Sequence, residues 1–117
     1  MKASTLIIVP AYQEEANILK VLDDIRTHLP EAAIVVVNDG STDQTGPLAR
    51  SAGVKVIDHP YNMGIGAAVQ TGFKYALERE IALALQIDGD YQHPAQEGVR
   101  LLRVLEETGA DLVIGSR

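Results

Sequence analysis

Two carboxylates that could hold a metal ion stand two positions apart late in the sequence. Asp88 and Asp90 flank Gly89 and directly follow the apolar run 81–87. Hard divalent cations such as Mg²⁺ prefer carboxylate oxygens and keep coordination sites for phosphate oxygens. The intervening glycine lets the backbone turn tightly and lets a ligand approach closely. The pattern is typical of a metal site for a phosphorylated ligand, although a solvated acidic turn would have the same composition.

Polar residues also follow the first two apolar runs. The carboxylate of Asp39 could accept hydrogen bonds from a base or a ribose, but Asp39 with Gly40 and Ser41 is equally good turn chemistry. The ring of Tyr12 could lie against a base while its hydroxyl is hydrogen-bonded. Glu14 could line the same pocket or favour a helix N-terminus electrostatically, and the second role is the one expected for Glu15.

Two glycines and two histidines invite a functional interpretation. Gly64 and Gly66 precede a helical stretch, as glycines do in phosphate-binding loops. A dinucleotide-binding fingerprint would need a third glycine where Val69 stands, and a P-loop would need Lys followed by Ser or Thr. We therefore interpret both glycines as sites of close helix packing. His59 is interpreted as structural, and His93 could lie near the acidic pair.

The apolar pattern predicts the scaffold that would position these residues. Strand-like runs alternate with helix-like stretches in the order βαβαβαβαβ. Strands are expected over 5–9, 33–37, 54–57, 81–87 and 112–114. Continuously apolar strands indicate a mostly parallel sheet with helices on both faces, and ligands bind such sheets outside the carboxyl ends of the strands. The polar loops would then share one edge.

The helices are predicted from period and end signals. The first is expected over 15–29 and the second over 44–52, with residues 41–43 as its capping region and Gly53 after its end. Helical spacing in the third predicts one buried face formed by Ile65, Ala68, Val69, Phe73, Ala76 and Leu77. The fourth would begin at Pro94, present Val99, Leu102 and Leu105 to the core, and close at Gly109.

Composition narrows the class of protein. The 117 residues are 46% hydrophobic, which suits one packed domain, and the formal net charge of -6 disfavours binding to nucleic acid. The absence of cysteine excludes disulfides and thiolate metal sites. The apolar run 6–9 is too short for a signal peptide, and no run approaches the roughly 20 apolar residues of a membrane span.

Together these segments resemble the family 2 glycosyltransferases, which have the GT-A fold. The resemblance is carried by residues 9–15, 37–43, 62–68, 88–94 and 115–117, which occur in the family's order. The form Asp-Gly-Asp-x-Gln-His-Pro is most similar to the dolichol-phosphate mannosyltransferase and polyprenyl-phosphate glycosyltransferase branch. Two positions differ from the usual pattern: Asn38 stands where Asp is frequent, and Ile65 where many members have Lys.

The resemblance implies a Rossmann-like, α/β nucleotide-sugar-binding domain over residues 1–117, truncated before the acceptor-binding half. It implies a nucleotide pocket formed by Pro10, Tyr12, Glu14, Val37 and Asp39. It also implies that Asp88 and Asp90 are the catalytic metal ligands for Mg²⁺ or Mn²⁺, with Asp90 the better candidate for direct contact. Gly89 would belong to the same binding site, Gln92 would make a nearby polar contact, and Arg117 would help to bind the diphosphate or sugar.

The reaction implied is inverting transfer of a sugar from a GDP- or UDP-sugar to an acceptor such as a polyprenyl phosphate. The expected location is the cytoplasm, at a membrane face if further segments attach the protein there. An exposed edge strand could pair copies into a homo-oligomer. The alternatives are a nucleotide-binding module without catalysis, a sugar nucleotidyltransferase, and a receiver-like signalling domain. The acidic, glycine-free loop 10–15 disfavours the nucleotidyltransferase, and the absence of Lys after the fifth strand disfavours the receiver.

Overall fold

A computed structural model describes residues 5–87, together with the backbone of residues 101–106 and 109–114. Within these ranges lie six strands and three helices. The strands are β1 (Thr5–Ala11), β2 (Ala33–Asn38), β3 (Lys55–Asp58), β4 (Leu83–Gln86), β5 (Leu101–Glu106) and β6 (Gly109–Ile114). The helices are α1 (Ile18–His28), α2 (Thr45–Ser51) and α3 (Ile65–Glu78).

The strands form one sheet in the order β3-β2-β1-β4-β5-β6. The first four strands run parallel, so the predicted parallel α/β architecture is confirmed for them. The chain adds β2 and β3 on one side of β1 and then crosses to place β4 on the other side. Reversals of this kind open a crevice at the carboxyl ends of the two strands that flank the switch point, here β1 and β4.

The alternating side chains of β1 serve both faces of the sheet. Ile7 and Val9 point to the face covered by α1 and α2, where aliphatic side chains of all three elements form one buried cluster. Leu6 and Ile8 point to the opposite face, which is covered by α3. Burial on both sides explains why the strands are apolar throughout, since neither face is left for polar residues.

The buried face of α3 differs from the predicted one. Ala68, Gly72, Phe73 and Ala76 are buried, whereas Ile65 is 61% exposed and Leu77 is 50% exposed. The small residues recur every four positions and let the helix lie close to β1. A Cβ atom built on Gly72 would stand 2.3 Å from Cγ2 of Ile8. The close approach of these small residues to β1 therefore sets the orientation of α3. As a result, the large side chains of Ile65 and Leu77 are left exposed.

The packing role predicted for Gly64 and Gly66 is wrong. A Cβ atom at either position would have no neighbour within 4 Å in the described part of the chain. Gly64 instead adopts a φ of 101°, which favours glycine where the backbone turns into α3. Gly72 makes the close contact that we had assigned to the two earlier glycines.

The prediction of a helix that begins at Pro94 is also wrong for the second half of that segment, where the chain forms β5. Its apolar pairs at 101–102 and 104–105 satisfy a helical stripe, but they also suit a strand with two covered faces. Pairing β5 against β4 satisfies the outer backbone groups of β4. β5 and β6 form an antiparallel hairpin, so β6 again runs in the direction of β4.

Candidate functional site

The carboxyl ends of the parallel strands meet at one edge of the sheet. The amide N–H of Asp39, directly after β2, donates to the carbonyl oxygen of Ala11 at 2.8 Å, which extends the ladder to the end of β1. On the other side of β1, the N–H of Ile87 donates to the carbonyl of Ile8 at 3.0 Å. Asp88 is the next residue in the chain after Ile87. The expected metal ligands therefore follow a strand that ends at the same edge as Asp39.

The loop after β1 and the loop after β2 are joined by hydrogen bonds in both directions; we call this contact the first junction (residues 12–17 against 39–45). Side chains after β2 accept from three consecutive amides after β1. The N–H of Gln13 donates to Oγ of Ser41 at 2.9 Å, that of Glu14 to Oγ1 of Thr45 at 2.8 Å, and that of Glu15 to Oδ2 of Asp43 at 3.2 Å.

The return bonds come from amides after β2. The N–H of Thr42 donates to Oε1 of Gln13 at 2.6 Å, and the N–H of Gln44 donates to Oε1 of Glu15 at 3.0 Å. The expected role of Glu15 at the start of α1 is therefore wrong, because α1 begins three residues later and has no acidic residue in its first turn. Gln13 has a φ of 56°, a conformation held by bonds through both its main chain and its side chain.

Asp43 accepts hydrogen bonds at the start of α2, as predicted for its region, although the N-cap position itself is Gln44, which makes no side-chain cap hydrogen bond. Oδ1 of Asp43 accepts from the N–H and the hydroxyl of Thr45 at 2.9 and 2.5 Å. Burial raises the pKa of Asp43, but the hydrogen bonds from Thr45 and from the Glu15 amide outweigh burial and leave that pKa lowered. Thr42, by contrast, binds Gln13 rather than capping α2.

A single buried carboxylate joins the loop after β2 to the loop between β3 and α3; we call this contact the second junction (Asp39 against residues 59–64). Oδ1 of Asp39 accepts from Nδ1 of His59 at 2.8 Å and from the N–H of Met63 at 2.9 Å. Oδ2 accepts from the N–H of Gly64 at 2.9 Å. The side chains of His59 and Asp39 are only 8% and 4% exposed.

The Asp39 carboxylate is ionised under ordinary conditions. Burial raises its pKa, whereas hydrogen bonds from His59, Met63 and Gly64 lower it, and the balance is a lowered pKa. An ionised carboxylate offers about four acceptor positions. Three are used by the residues that the structure describes, and the position that remains is on Oδ2.

Close backbone contact reinforces the second junction. Gly40 has a φ of 76°, and a Cβ atom there would lie 2.3 Å from the carbonyl carbon of Tyr61 and 2.5 Å from the amide nitrogen of Asn62. Neither backbone atom can move aside as a flexible side chain would. Only glycine fits at position 40, because both the backbone conformation and the available space exclude a side chain.

Asn38 has a structural role at the end of β2. Its Nδ2 donates to Oδ1 of Asp58 at 3.0 Å, and its Oδ1 accepts from the N–H of Ser41 at 3.2 Å. Asp58 also pairs with Arg50 of α2. Burial raises the pKa of Asp58, and the bonds from Arg50 and Asn38 bring it below its ordinary value. An amide serves at position 38 because it can donate to one partner and accept from another.

The residues expected to line a nucleotide pocket occupy different environments. Tyr12 stands 46% exposed just beyond β1. Pro10 lies within β1, and Val37 is fully buried in the cluster beneath α3, so its side chain belongs to the core. Glu14 lies in the first junction, where its Oε1 accepts from Nδ2 of Asn17 at 3.4 Å. Tyr12, Glu14 and Asp39 therefore gather at the carboxyl edge.

The expected metal ligands and their neighbours lie outside the described residues. These are Asp88, Gly89, Asp90, Gln92, His93 and Arg117. Within the described ranges, no group of three or more His, Asp or Glu side chains could hold a metal ion.

Sequence reasoning did not find the partners of Asp39. His59 was correctly interpreted as structural, but the carboxylate it contacts is 20 positions earlier in the chain. Position 59 directly follows β3, which is parallel to β2. The only signal available was therefore that two polar residues, Asp39 and His59, directly follow neighbouring strands.

The architecture is that of the GT-A glycosyltransferases. The Staphylococcus aureus TarS 1–349 structure in complex with UDP superposes with a TM-score of 0.67 at 31% identity, covering 77% of this chain and 28% of that one. The glucosyl-3-phosphoglycerate synthase of Mycobacterium tuberculosis, in a complex with Mn²⁺, UDP and glucosyl-3-phosphoglycerate, superposes with a TM-score of 0.60 at 25% identity, covering 74% of this chain and 33% of that one.

Residues 6–117 match the model of glycosyl transferase family 2, and the chain belongs to that family. It is 37% identical to the polyprenol monophosphomannose synthase of Mycolicibacterium smegmatis, over 97% of this chain and 44% of that protein. It is 35% identical to the undecaprenyl-phosphate mannosyltransferase of Micrococcus luteus, over 96% of this chain and 47% of that protein. The chain thus spans a little under half the length of these two relatives.

Hydropathy adds one observation on membranes. None of the helices in the described ranges is long and apolar enough to cross a bilayer.

Proposed function

We propose that this chain forms the nucleotide-sugar-binding part of an enzyme that transfers a sugar from a nucleoside-diphosphate sugar, with inversion at the anomeric carbon. The observation that carries the proposal is the common edge: Asp39 follows β2 and the segment 88–90 follows β4, and both strands run parallel to β1. The edge lies at the switch point of the sheet, where α/β folds bind ligands. A relative of similar fold was crystallised with UDP in place.

The base of the donor would bind beside β1 and β2. Tyr12 presents an exposed ring that can stack on a base, and Glu14 would form the adjoining wall. The side chains of Pro10 and Val37 are buried, so any contribution from these two residues would come from their main chain. The remaining acceptor position on Oδ2 of Asp39 would receive an N–H group of the base. Uracil and guanine both carry a ring N–H that could fill this position, so the donor we propose is a UDP- or GDP-sugar.

Asp88 and Asp90 would hold Mg²⁺ or Mn²⁺ at the diphosphate, with Gly89 allowing close approach and Gln92 and Arg117 nearby. Two carboxylates with a phosphate-bearing ligand are a donor set suited to these hard cations. The bound ion would neutralise charge that develops on the departing nucleoside diphosphate. The Mn²⁺ in the complex of the glucosyl-3-phosphoglycerate synthase is consistent with this assignment.

We propose a polyprenyl or dolichyl phosphate as the acceptor, because the two relatives described above are named for polyprenyl substrates. An oxygen of the acceptor phosphate would form the new bond to the anomeric carbon as the bond to the diphosphate breaks. That oxygen is already ionised at neutral pH, so a protein base is not required. An acceptor of this kind would bring the enzyme to a membrane, and we propose that it acts at the cytoplasmic face.

Replacing the proposed metal ligand tests the reaction. Asp90→Ala in the full-length protein should lower kcat by about 10²–10³, because losing one charge-stabilising contact at a transition state costs roughly 3–4 kcal/mol. The measurement is transfer of labelled sugar from GDP-mannose or UDP-glucose into solvent-extractable polyprenyl phosphate, with saturating Mn²⁺. Asp23→Ala, on the exposed face of α1, is the matched control and should retain full activity.

Each outcome bears on a different part of the proposal. Full activity of Asp90→Ala would contradict the metal assignment. Product that stays in the aqueous phase would contradict the lipid acceptor. Calorimetric binding of UDP or GDP without transfer to any acceptor would instead favour the alternative of a nucleotide-binding module.

A further inference from the structure

His59 connects the candidate base site to the helix behind it. Its Nδ1 lies 2.8 Å from Oδ1 of Asp39, and its Nε2 lies 2.8 Å from Oγ1 of Thr71, one turn and a half into α3. Oγ1 of Thr71 also lies 3.0 Å from the carbonyl oxygen of Ala67, so the single hydroxyl proton has two acceptors within reach when Nε2 is unprotonated. A ring held at both nitrogens and buried on its faces has little freedom to rotate.

The direction of the His59–Asp39 hydrogen bond is fixed by chemistry. An ionised carboxylate can only accept, so Nδ1 of His59 is the donor. Together with the Met63 amide, this bond gives Oδ1 two donors, while Oδ2 has only the Gly64 amide among the described residues. The asymmetry determines which carboxylate oxygen keeps an acceptor position for another group.

We propose that His59 is a positioning residue for nucleotide recognition: its Nδ1–H holds the Asp39 carboxylate so that Oδ2 presents its remaining acceptor position to the base. The inference rests on the proposed function. His59 does not touch the nucleotide. Its contribution passes through Asp39, and the contact between Nε2 and Oγ1 of Thr71 is a secondary restraint on the ring.

Two amide substitutions separate positioning from packing. In His59→Asn the side-chain amide can occupy the place of Nδ1 and still donate to Asp39. In His59→Gln the longer side chain places its amide where Nε2 was, toward Thr71, and Asp39 loses its donor. Both remove the imidazole ring from the same buried site, so a purely structural role predicts similar losses for the two.

The experiment measures UDP and GDP affinity by calorimetry in the presence of Mn²⁺, on the full-length wild-type protein, both His59 variants and Thr71→Val. Urea unfolding of each variant accompanies the titration. His59→Asn and Thr71→Val should bind within about threefold of wild type, and His59→Gln about tenfold or more weakly, as expected for loss of one hydrogen bond to a charged group. In turnover assays His59→Gln should raise KM for the donor sugar and leave kcat nearly unchanged.

The outcomes distinguish this inference from the proposed function. If wild type binds and His59→Gln binds equally well, the positioning role is wrong and the nucleotide site stands. Equal weakening by His59→Asn and His59→Gln, in step with their loss of stability, shows that His59 acts only in packing and overturns the inference. If wild type binds neither nucleotide, the proposed function fails and this inference with it.

Discussion

The two junctions at the carboxyl edge hold neighbouring loops by opposite means. In the first, several side chains and main-chain amides exchange separate hydrogen bonds, and most of these bonds are at exposed positions. In the second, one buried carboxylate receives three bonds from a histidine and two amides. Both junctions order a loop beside the end of β2, yet they should respond differently to the loss of one group.

The difference follows from solvation. At an exposed bond, water replaces a lost partner, so the net contribution of each bond is small. At a buried carboxylate, the donors that remain after its removal are poorly accessible to water, and each one that water cannot reach costs its desolvation free energy. The second junction should therefore behave as one unit and the first as a set of independent contacts.

The largest effect is expected for Asp39→Ala. The substitution leaves the Nδ1–H of His59 and the amides of Met63 and Gly64 without their acceptor, and each donor that water does not reach costs about 1–3 kcal/mol. Urea unfolding followed by circular dichroism measures the free energy of unfolding. The matched control is Asp43→Ala in the first junction, which should cost no more than about 2 kcal/mol, as for loss of a helix cap.

Equal free energies of unfolding for Asp39→Ala and Asp43→Ala would contradict the difference that we infer between the two junctions. That result would mean that the loop between β3 and α3 repacks or admits water, so that Asp39 is no longer isolated from solvent. A further test uses His59→Ala with Asp39→Ala. The double variant should be much less destabilised than the sum of the two single variants, because each removes the same interaction.

Sequence patterns predicted the scaffold well from β1 to β4, where strands and helices alternate. The β1, β2, β3 and β4 runs, and the helices between them, follow from apolar runs, helical spacing and the glycine after α2, where Gly53 has a φ of 85°. The prediction failed at β5, because short apolar pairs fit a helix or a strand and only the open edge of β4 decides between them. It also failed for the face of α3, because close packing of Gly72 on Ile8 is a tertiary property.

The candidate site could be located but not assembled from sequence. Parallel strands imply that Tyr12, Glu14 and Asp39 share an edge, and the structure brings them there. The partners of Asp39 could not be found, since a carboxylate after one strand gives no sign of which loop will donate to it. The partner of Glu15 could not be found either. Helix electrostatics predicted that Glu15 favours the N-terminus of α1, whereas its carboxylate accepts from the Gln44 amide of another loop.

Acid should weaken the second junction through Asp39. The pKa of Asp39 is lowered in the folded protein, so its contribution to stability is complete above the pKa of the unfolded chain, about 3.9. That contribution is lost as the pH falls through the folded pKa. The free energy of unfolding of wild type should therefore decline below about pH 4.

The carboxylate's share of that decline is isolated by Asp39→Asn. The variant should be less stable than wild type at pH 7 and should show a shallower decline in acid, so the two curves converge at low pH. Asp43→Asn is the control for the first junction, whose carboxylate also has a lowered pKa. Urea titrations between pH 7 and pH 3 measure the free energy of unfolding of wild type and of the two variants. Parallel curves for wild type and Asp39→Asn would show that Asp39 does not titrate differently in the folded state.

The smallest effects are expected within the first junction, where they test whether its bonds are independent. Ser41→Ala removes the acceptor for the Gln13 amide, and Glu15→Ala removes the acceptor for the Gln44 amide. Each should cost about 0.5–1 kcal/mol, because water can satisfy the exposed amide. The double variant should equal the sum of the two single variants within about 0.5 kcal/mol. A coupling energy above that value would mean that the first junction, like the second, forms or breaks as one unit, and that exposure does not explain the difference between them.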